Sequence, residues 1–341
     1  MTIKDIARES GYAVGTVSRV LNGHPDVSEN ARAVIMGVVE KYNFRPNSNA
    51  KQLKQHNSKG VAILVKGVGN LLFGSMLEKI QYGFQQANCV AGVFYLDESD
   101  DEMSSAIQIC REFKPVGILF LGGTPSHFDA RFLEIKLPCI LATTPGANMG
   151  FPNLSSVSTD DTAGEHCAME YLLNAGHRHF GIIAGSDCDF LPTQIKSLGQ
   201  RRLSGCIQAC QERGIPLDLD TQIKKARYSS VEEGYRAASE LLDQVPGITA
   251  LLAMSDVIAI GAIRAIRDRN LRVPEDVSVI GFDGLNLGAY LTPRLTTIRQ
   301  DTSRIAQRAV EILLSQLTGR NPAVHETVPF QLIEGESVCK L

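Results

Sequence analysis

Apolar residues fall into two rhythms along this chain. In the first forty residues they recur with helical spacing: Ile3, Ile6 and Ala7, then Val17, Val20 and Leu21. A third set (Ala31, Val34, Ile35, Val38, Val39 and Tyr42) follows at i, i+3, i+4, i+7, i+8 and i+11. Three short amphipathic helices are expected. Thr2 is placed to cap the first, with Asp5 favouring its positive end, and Ser28 to cap the third. Gly11 supplies the turn between the first two, since a residue without Cβ adopts the left-handed conformation that ends a helix. Pro46 stops the third. From residue 60 the rhythm changes to short apolar runs alternating with helical stretches: 61–65, then a helix to about 87, 90–96, 102–113 and 116–121. The alternation resumes at 180–184, 198–213, 231–242, 250–254, 257–267 and 277–282. Strand and helix in strict alternation predict an α/β fold with doubly wound parallel sheets, and there is enough of it for two sheets.

Residues 2–22 have the layout of a helix-turn-helix DNA reader. The second helix buries Val17, Val20 and Leu21 and leaves Val14, Gly15, Ser18, Arg19 and Asn22 on or near its outer face. Small contacts at one end and an Arg able to grip a guanine edge with two hydrogen bonds suit a major groove. The plainer alternative is an ordinary helical hairpin at a chain start. After the third helix, residues 47–58 are polar, with Leu53 their only sizeable apolar residue. Such a segment has too little apolar surface to fold alone, so it reads as a linker or a segment that orders on binding.

These stretches carry a specific likeness. The motifs Thr-Ile-Lys-Asp-Ile-Ala (2–7), Thr-Val-Ser-Arg-Val-Leu-Asn (16–22), Arg-Pro-Asn (45–47) and Ala-Lys-Gln-Leu (50–53), continued in the 251–283 region, resemble the LacI/GalR family of transcriptional regulators. The resemblance spans the whole chain. It implies a three-helix DNA-binding head (1–46), a hinge (47–58) and an effector-binding and dimerisation body (59–341) built like a periplasmic sugar-binding protein. One lobe is expected at roughly 59–160 plus 295–325, the other at 161–292 plus the C-terminus. The resemblance also implies a homodimer on a palindromic operator. In that family the hinge folds on the operator and a Leu wedges into the central base step; Leu53 matches the wedge, with Ala50 one turn before it. The expected DNA-contacting set is Thr2, Val14, Gly15, Thr16, Ser18, Arg19, Asn22, Ser28, Ala50, Lys51, Leu53 and Lys54. Three departures stand out. Ala13 replaces the usual Ser at the start of the recognition helix, and Val14 and Gly15 replace polar base-reading residues. Thr143-Thr144 ends a strand where an acidic residue is common.

Effector contacts are expected where polar or aromatic groups end apolar strands, because ligands of α/β sheets sit outside the strands' carboxyl ends. Asn70 and Phe73 follow the first strand, Thr143 the fourth and Asp160 the fifth. Arg202 opens the helix after 180–184, and Tyr228, Ser255-Asp256 and Asp283 follow later strands. Carboxylates, an Arg and an aromatic face suit a sugar or a related metabolite. The resemblance supports Arg202, Tyr228 and Asp283 in particular. For Asp256 a helix-capping role weighs equally.

Charge is divided in a telling way. The 341 residues carry a net charge of −3. Residues 1–58 hold eight Lys/Arg against five Asp/Glu, and the remainder 26 against 32, so the head is basic and the body acidic. The eight Cys are scattered without a C-x-x-C pair, which suits reduced thiols in the cytoplasm. No run is long and apolar enough for a membrane span, and no signal peptide precedes the first helix. Gly67-Val-Gly69 is no dinucleotide fingerprint, because position 72 is Leu. His177-Arg-His179 reads as a surface turn and not as a metal site. The acidic run 97–102 reads as charge placed at a helix start. No cofactor, metal or catalytic constellation is expected. Besides a ligand-gated DNA-binding repressor, two readings stay open: a solute-binding component of transport, and a DNA binder indifferent to small molecules.

Overall fold

The computed structural model describes residues 3–21, 27–41, 60–67, 69–185, 187–188, 197–319 and 321–341. The chain divides into two units, 1–59 and 60–341. In the first, α1 (Ile3–Ser10), α2 (Val14–Leu21) and α3 (Glu29–Lys41) surround a small core of Ile6, Ala7, Val17, Val20, Ile35 and Val39. Each of these residues belongs to an apolar stripe read from the sequence. Gly11 takes φ +71° at the turn. Ser28 Oγ accepts from the Ala31 N–H at 3.3 Å and so caps α3. Ala13, which has no side-chain oxygen to offer, still accepts the Thr16 and Val17 amides through its carbonyl.

The second unit holds two six-stranded sheets. The first contains β1 (Val61–Lys66), β2 (Ala91–Leu96), β3 (Gly117–Leu121), β4 (Cys139–Ala142), β5 (Leu154–Thr159) and β11 (His325–Val328) in the order β11-β5-β4-β3-β1-β2. Against it pack α4 (Leu71–Gln86), α5 (Glu102–Glu112) and α10 (Thr302–Thr318). The second contains β6 (Phe180–Ala184), β7 (Ile223–Lys225), β8 (Ala250–Ala253), β9 (Ser278–Asp283), β10 (Thr296–Gln300) and β12 (Phe330–Ile333) in the order β12-β10-β9-β8-β6-β7. Its helices are α6 (Asp161–Asn174), α7 (Leu198–Glu212), α8 (Val231–Gln244) and α9 (Asp256–Asp268). All pairings are parallel except β10 with β12. Strands such as β3, β6 and β8 are buried throughout, as parallel strands covered on both faces must be.

Three segments cross between the lobes: after β5, after β10 and at Pro329. The expected lobe boundaries need correction here. β10 pairs with β9 in the second sheet, from Thr296 opposite Ile280 to Arg299 opposite Asp283. The return to lobe one therefore starts after residue 300 and not near 295, and it runs on through β11 to residue 328. His177 also departs from its reading as a surface residue. It is fully buried, with Nδ1 2.9 Å from Thr249 Oγ1 and Nε2 3.1 Å from the Cys339 carbonyl, so it ties the C-terminal segment to lobe two. His179 alone of that pair is exposed.

Candidate functional site

Arg202 anchors the carboxyl end of the second sheet. A capping box formed by Ser197 and Gln200 opens α7 and fixes the first turn from which Arg202 projects. Its Nε donates to Asp161 Oδ1 at 2.8 Å, Nη1 donates to the Met254 carbonyl, and Nη2 lies 3.7 Å from Asp283 Oδ1. The guanidinium plane stacks on Phe282, 3.9 Å from the ring centre. Asp283, the last residue of β9, holds φ +114°, a costly conformation for a residue with a side chain. Its Oδ1 accepts from Gln300 Nε2 at 2.9 Å. Burial pushes its pKa up to about 6, with Arg202 and the Gln300 hydrogen bond pulling the other way.

Three carboxyl groups, Asp161, Asp283 and Glu165, crowd this one Arg, and a fourth, Asp256, adjoins Asp283. Asp256 is fully buried; it accepts from Thr297 Oγ1 and from the Leu285 N–H, each at 2.6 Å. Burial, aided by the neighbouring Asp283, pushes its pKa up to about 8. Asp161 is likewise raised by burial against the pull of Arg202. Glu165, one turn along α6, is fully buried, and neither carboxyl oxygen has a hydrogen-bond partner among the described residues. Burial drives its pKa well above the ordinary range, and Asp161, Asp283 and Asp256 add to the effect.

Lobe one presents a second charged group at its own strand ends. Lys66, closing β1, donates to the Asp100 carbonyl at 2.7 Å and lies 2.9 Å from Glu102 Oε1. Glu102 is 1% exposed; it accepts the Thr124 N–H at 2.7 Å and contacts His127 Nδ1. Asp101 caps α5 and meets Arg131 Nη1 at 2.6 Å. Asp101, Glu102 and His127 bring ligand atoms within 4.8 Å of one another, but Lys66 and Arg131 already supply the positive charge there. Nearby, the Phe73 ring packs against Gly122 (φ +78°), where a Cβ would come 2.7 Å from the ring. Across the cleft, burial raises the pKa of Glu98 in lobe one, with Lys66 and the backbone amide of Ser229 in lobe two pulling the other way.

The expected effector residues have separate fates. Arg202 and Asp283 lie together, and Phe73 sits at the strand ends of the opposite lobe. Asn70 caps α4 by accepting the Leu72 N–H, and Asp160 caps α6 while staying exposed. The residue that reaches Arg202 is the next one, Asp161. Ser255 is the N-cap of α9, whereas Asp256, at the first helical position, holds the β9 exit in place. Thr143 is buried at φ +77°, and its hydroxyl has no hydrogen-bond partner among the described residues. Tyr228 stands three residues beyond the end of β7 and is 58% exposed. Lys66, Glu102, His127 and Glu165 were not anticipated. The acidic run pointed towards Glu102, but the sequence did not reveal its partners. In the head, Arg19 is exposed and Thr16 half-buried, both on α2; Val14, Gly15 and Ser18 lie on the same helix. Thr2, Asn22, Ala50, Lys51, Leu53 and Lys54 fall outside the described residues.

Comparison with known proteins agrees with this layout. Residues 2–47 match the family model for bacterial regulatory proteins of the lacI family, and 169–338 match a periplasmic binding protein-like domain. The HTH-type transcriptional regulator MalR of Clostridium butyricum is 34% identical over 99% of both chains. The chain belongs to the LacI family of bacterial transcriptional regulators. The ribose operon repressor of Haemophilus influenzae is 30% identical, covering 94% of this chain and 93% of its own. Among solved structures, a transcriptional regulator CelR–cellobiose complex superposes with a TM-score of 0.72 at 25% identity over 99% of both chains. A lac repressor dimer bound to operator shares the fold, with a TM-score of 0.70 at 22% identity. Among the described residues no helix is long and apolar enough to cross a membrane.

Proposed function

We propose that this chain is a cytoplasmic, homodimeric repressor. Its head (1–46) and hinge (47–58) read a palindromic operator, and its body (59–341) closes on a sugar or related metabolite. The chain is not an enzyme on this reading, and it needs no cofactor. The observation that carries the proposal is the Arg202–Asp283 pair at the strand ends of lobe two, with Phe73 at the strand ends of lobe one. A guanidinium and a carboxylate offer donors and acceptors to ring hydroxyls, and a flat ring offers an apolar face to a pyranose or a nucleobase. The relatives' names point the same way, to sugars and to operators.

Closing the lobes on a ligand changes the separation of the two hinges in a dimer. Leu53 inserts into the operator only when those hinges are close together. An inserted apolar side chain costs a few kcal/mol of unstacking, offset by the contacts that bent DNA allows. Ligand and operator are then coupled by about 1–3 kcal/mol, reciprocally.

The test is an anisotropy titration of a selected operator with and without candidate sugars and nucleosides. Arg202→Ala and Asp283→Ala should keep operator affinity and lose the ligand response. Leu53→Ala should lose affinity and DNA bending while ligand binding persists. An unchanged ligand response in both cleft variants would overturn the cleft assignment. Normal bending by Leu53→Ala would overturn the wedge.

A further inference from the structure

The body carries more acid than base, yet one of its cavities is lined by cations. It measures about 800 Å³ and lies beside the second and third crossovers, bounded by the start of α4, the exit of β9, residues 299–304 and residues 328–331. Lys79, Arg299 and Arg304 face it, and Asp301 is its only acidic residue. That Asp is already engaged: its Oδ1 accepts the Arg304 N–H at 2.9 Å and caps α10. Two of the cations are held in place. Lys79 Nζ donates to Ser303 Oγ at 2.7 Å. The stem of Arg299 packs on Gly284 so closely that a Cβ there would lie 2.5 Å from the Arg299 Cα. Neither Arg299 nor Arg304 has an ion pair or a side-chain hydrogen bond among the described residues, although Arg304 feels Glu311 and Glu326 through space. All three cations are exposed at the cavity wall, where their fields add and an anion of complementary shape is attracted by all of them at once.

We propose that this cavity is a second ligand site, separate from the Arg202–Asp283 cleft, and that it takes a small phosphate-bearing anion. Two guanidiniums, one ammonium and the exposed amides at the start of α10 supply the donors that a phosphate's oxygens need. The volume lies within the usual range for small-ligand pockets. Lys79 and Arg304 belong to lobe one and Arg299 to lobe two, so an anion held by all three bridges the lobes at their connections. Occupancy therefore biases the same lobe arrangement that the cleft ligand controls.

The experiment is calorimetric titration of the full chain at low salt with inorganic phosphate and with glycerol 3-phosphate. These are compared among wild type, the Arg299→Gln/Arg304→Gln double variant and Arg213→Gln, which removes a cation from the Glu170 pair elsewhere on lobe two. Wild type and Arg213→Gln should bind alike, and the double variant at least about tenfold more weakly. Lys79→Gln should fall between them. Thermal melts and sedimentation of each variant show whether fold and assembly persist. Equal anion binding by the double variant would overturn the proposal, as would no binding by wild type up to about 10 mM, a concentration at which even a weak site is occupied. If the double variant sediments as a monomer where wild type is a dimer, these cations serve the contact between copies, and the ligand assignment fails.

Discussion

Replacing Glu165 with Met should stabilise this protein, increasingly so as pH rises. The carboxyl is fully buried and both its oxygens are unpaired among the described residues, so folding strips it of water without compensation. Each such unsatisfied polar group costs about 1–3 kcal/mol. Met fills a similar volume and needs no partner. With its pKa raised by burial, Glu165 keeps its proton in the folded state, while the unfolded chain releases it above about pH 4.5. Between those two values the folded state binds the extra proton. Stability therefore falls with rising pH, by about 1.4 kcal/mol per unit for one group. Calorimetric melts of wild type, Glu165→Met and Glu165→Gln at pH 5.5, 6.5 and 7.5 (about one unit apart, the step over which that slope is read) provide the measurement. Glu165→Met should melt several degrees higher at the lowest pH, since about 1 kcal/mol moves the midpoint of a body this size by roughly 2–4 °C. The gap should widen at each step. Glu165→Gln keeps the shape and should share the changed pH slope without the full gain. A Glu165→Met variant less stable than wild type, with no change in slope, would mean that the carboxylate is ionised and paired with Arg202, and the reasoning would fail.

Other outcomes are expected from the head and the cleft. Arg19→Ala should lose about 1–3 kcal/mol of discrimination between operator variants, whereas Lys51→Ala or Lys54→Ala should weaken all sequences evenly and lower the salt slope; ranking operator variants at two salt concentrations checks both. For Asp256, whose pKa stands near 8 in the fold against 3.8 unperturbed, stability should fall as pH rises through that window, and Asp256→Asn should flatten its share of the fall in denaturant titrations.

Much of this was legible because periodicity reports burial. The stripes Ile6–Ala7, Val17–Val20 and Ile35–Val39 became the head's core, and the apolar runs became strands. Arg202 and Asp283 were both expected beside strand ends, and the structure brings them within 3.7 Å of each other. Periodicity does not say which sheet a strand joins, so β10 was assigned to the wrong lobe. Adjacent like residues pose the same difficulty at finer scale. Asp160 and Asp161 differ by one position at a helix start, which turns one outward as a cap and the other inward to Arg202. The Lys66–Glu102–His127 group joins a strand end, a helix start and a short turn, and its members, up to 61 positions apart, share no local pattern.

The passage of the chain through lobe one, into lobe two and back has a consequence for synthesis on the ribosome. Lobe one begins with β1, yet α10 and the edge strand β11 arrive only at residues 302–328, after most of lobe two. Until then one edge of β5 has no neighbour, and the apolar faces of β3, β4 and β5 lack the helix that covers them. When β9 has emerged, lobe two lacks β10, β12 and the C-terminal segment, but its parallel strands β9-β8-β6-β7 are all present and can pair earlier. The lobe that begins first therefore waits until residue 328 for its last strand, although the parallel core of lobe two can form long before. A nascent chain paused near residue 300 exposes an unpaired strand edge beside bare apolar surface, the state most open to aggregation and to chaperone capture.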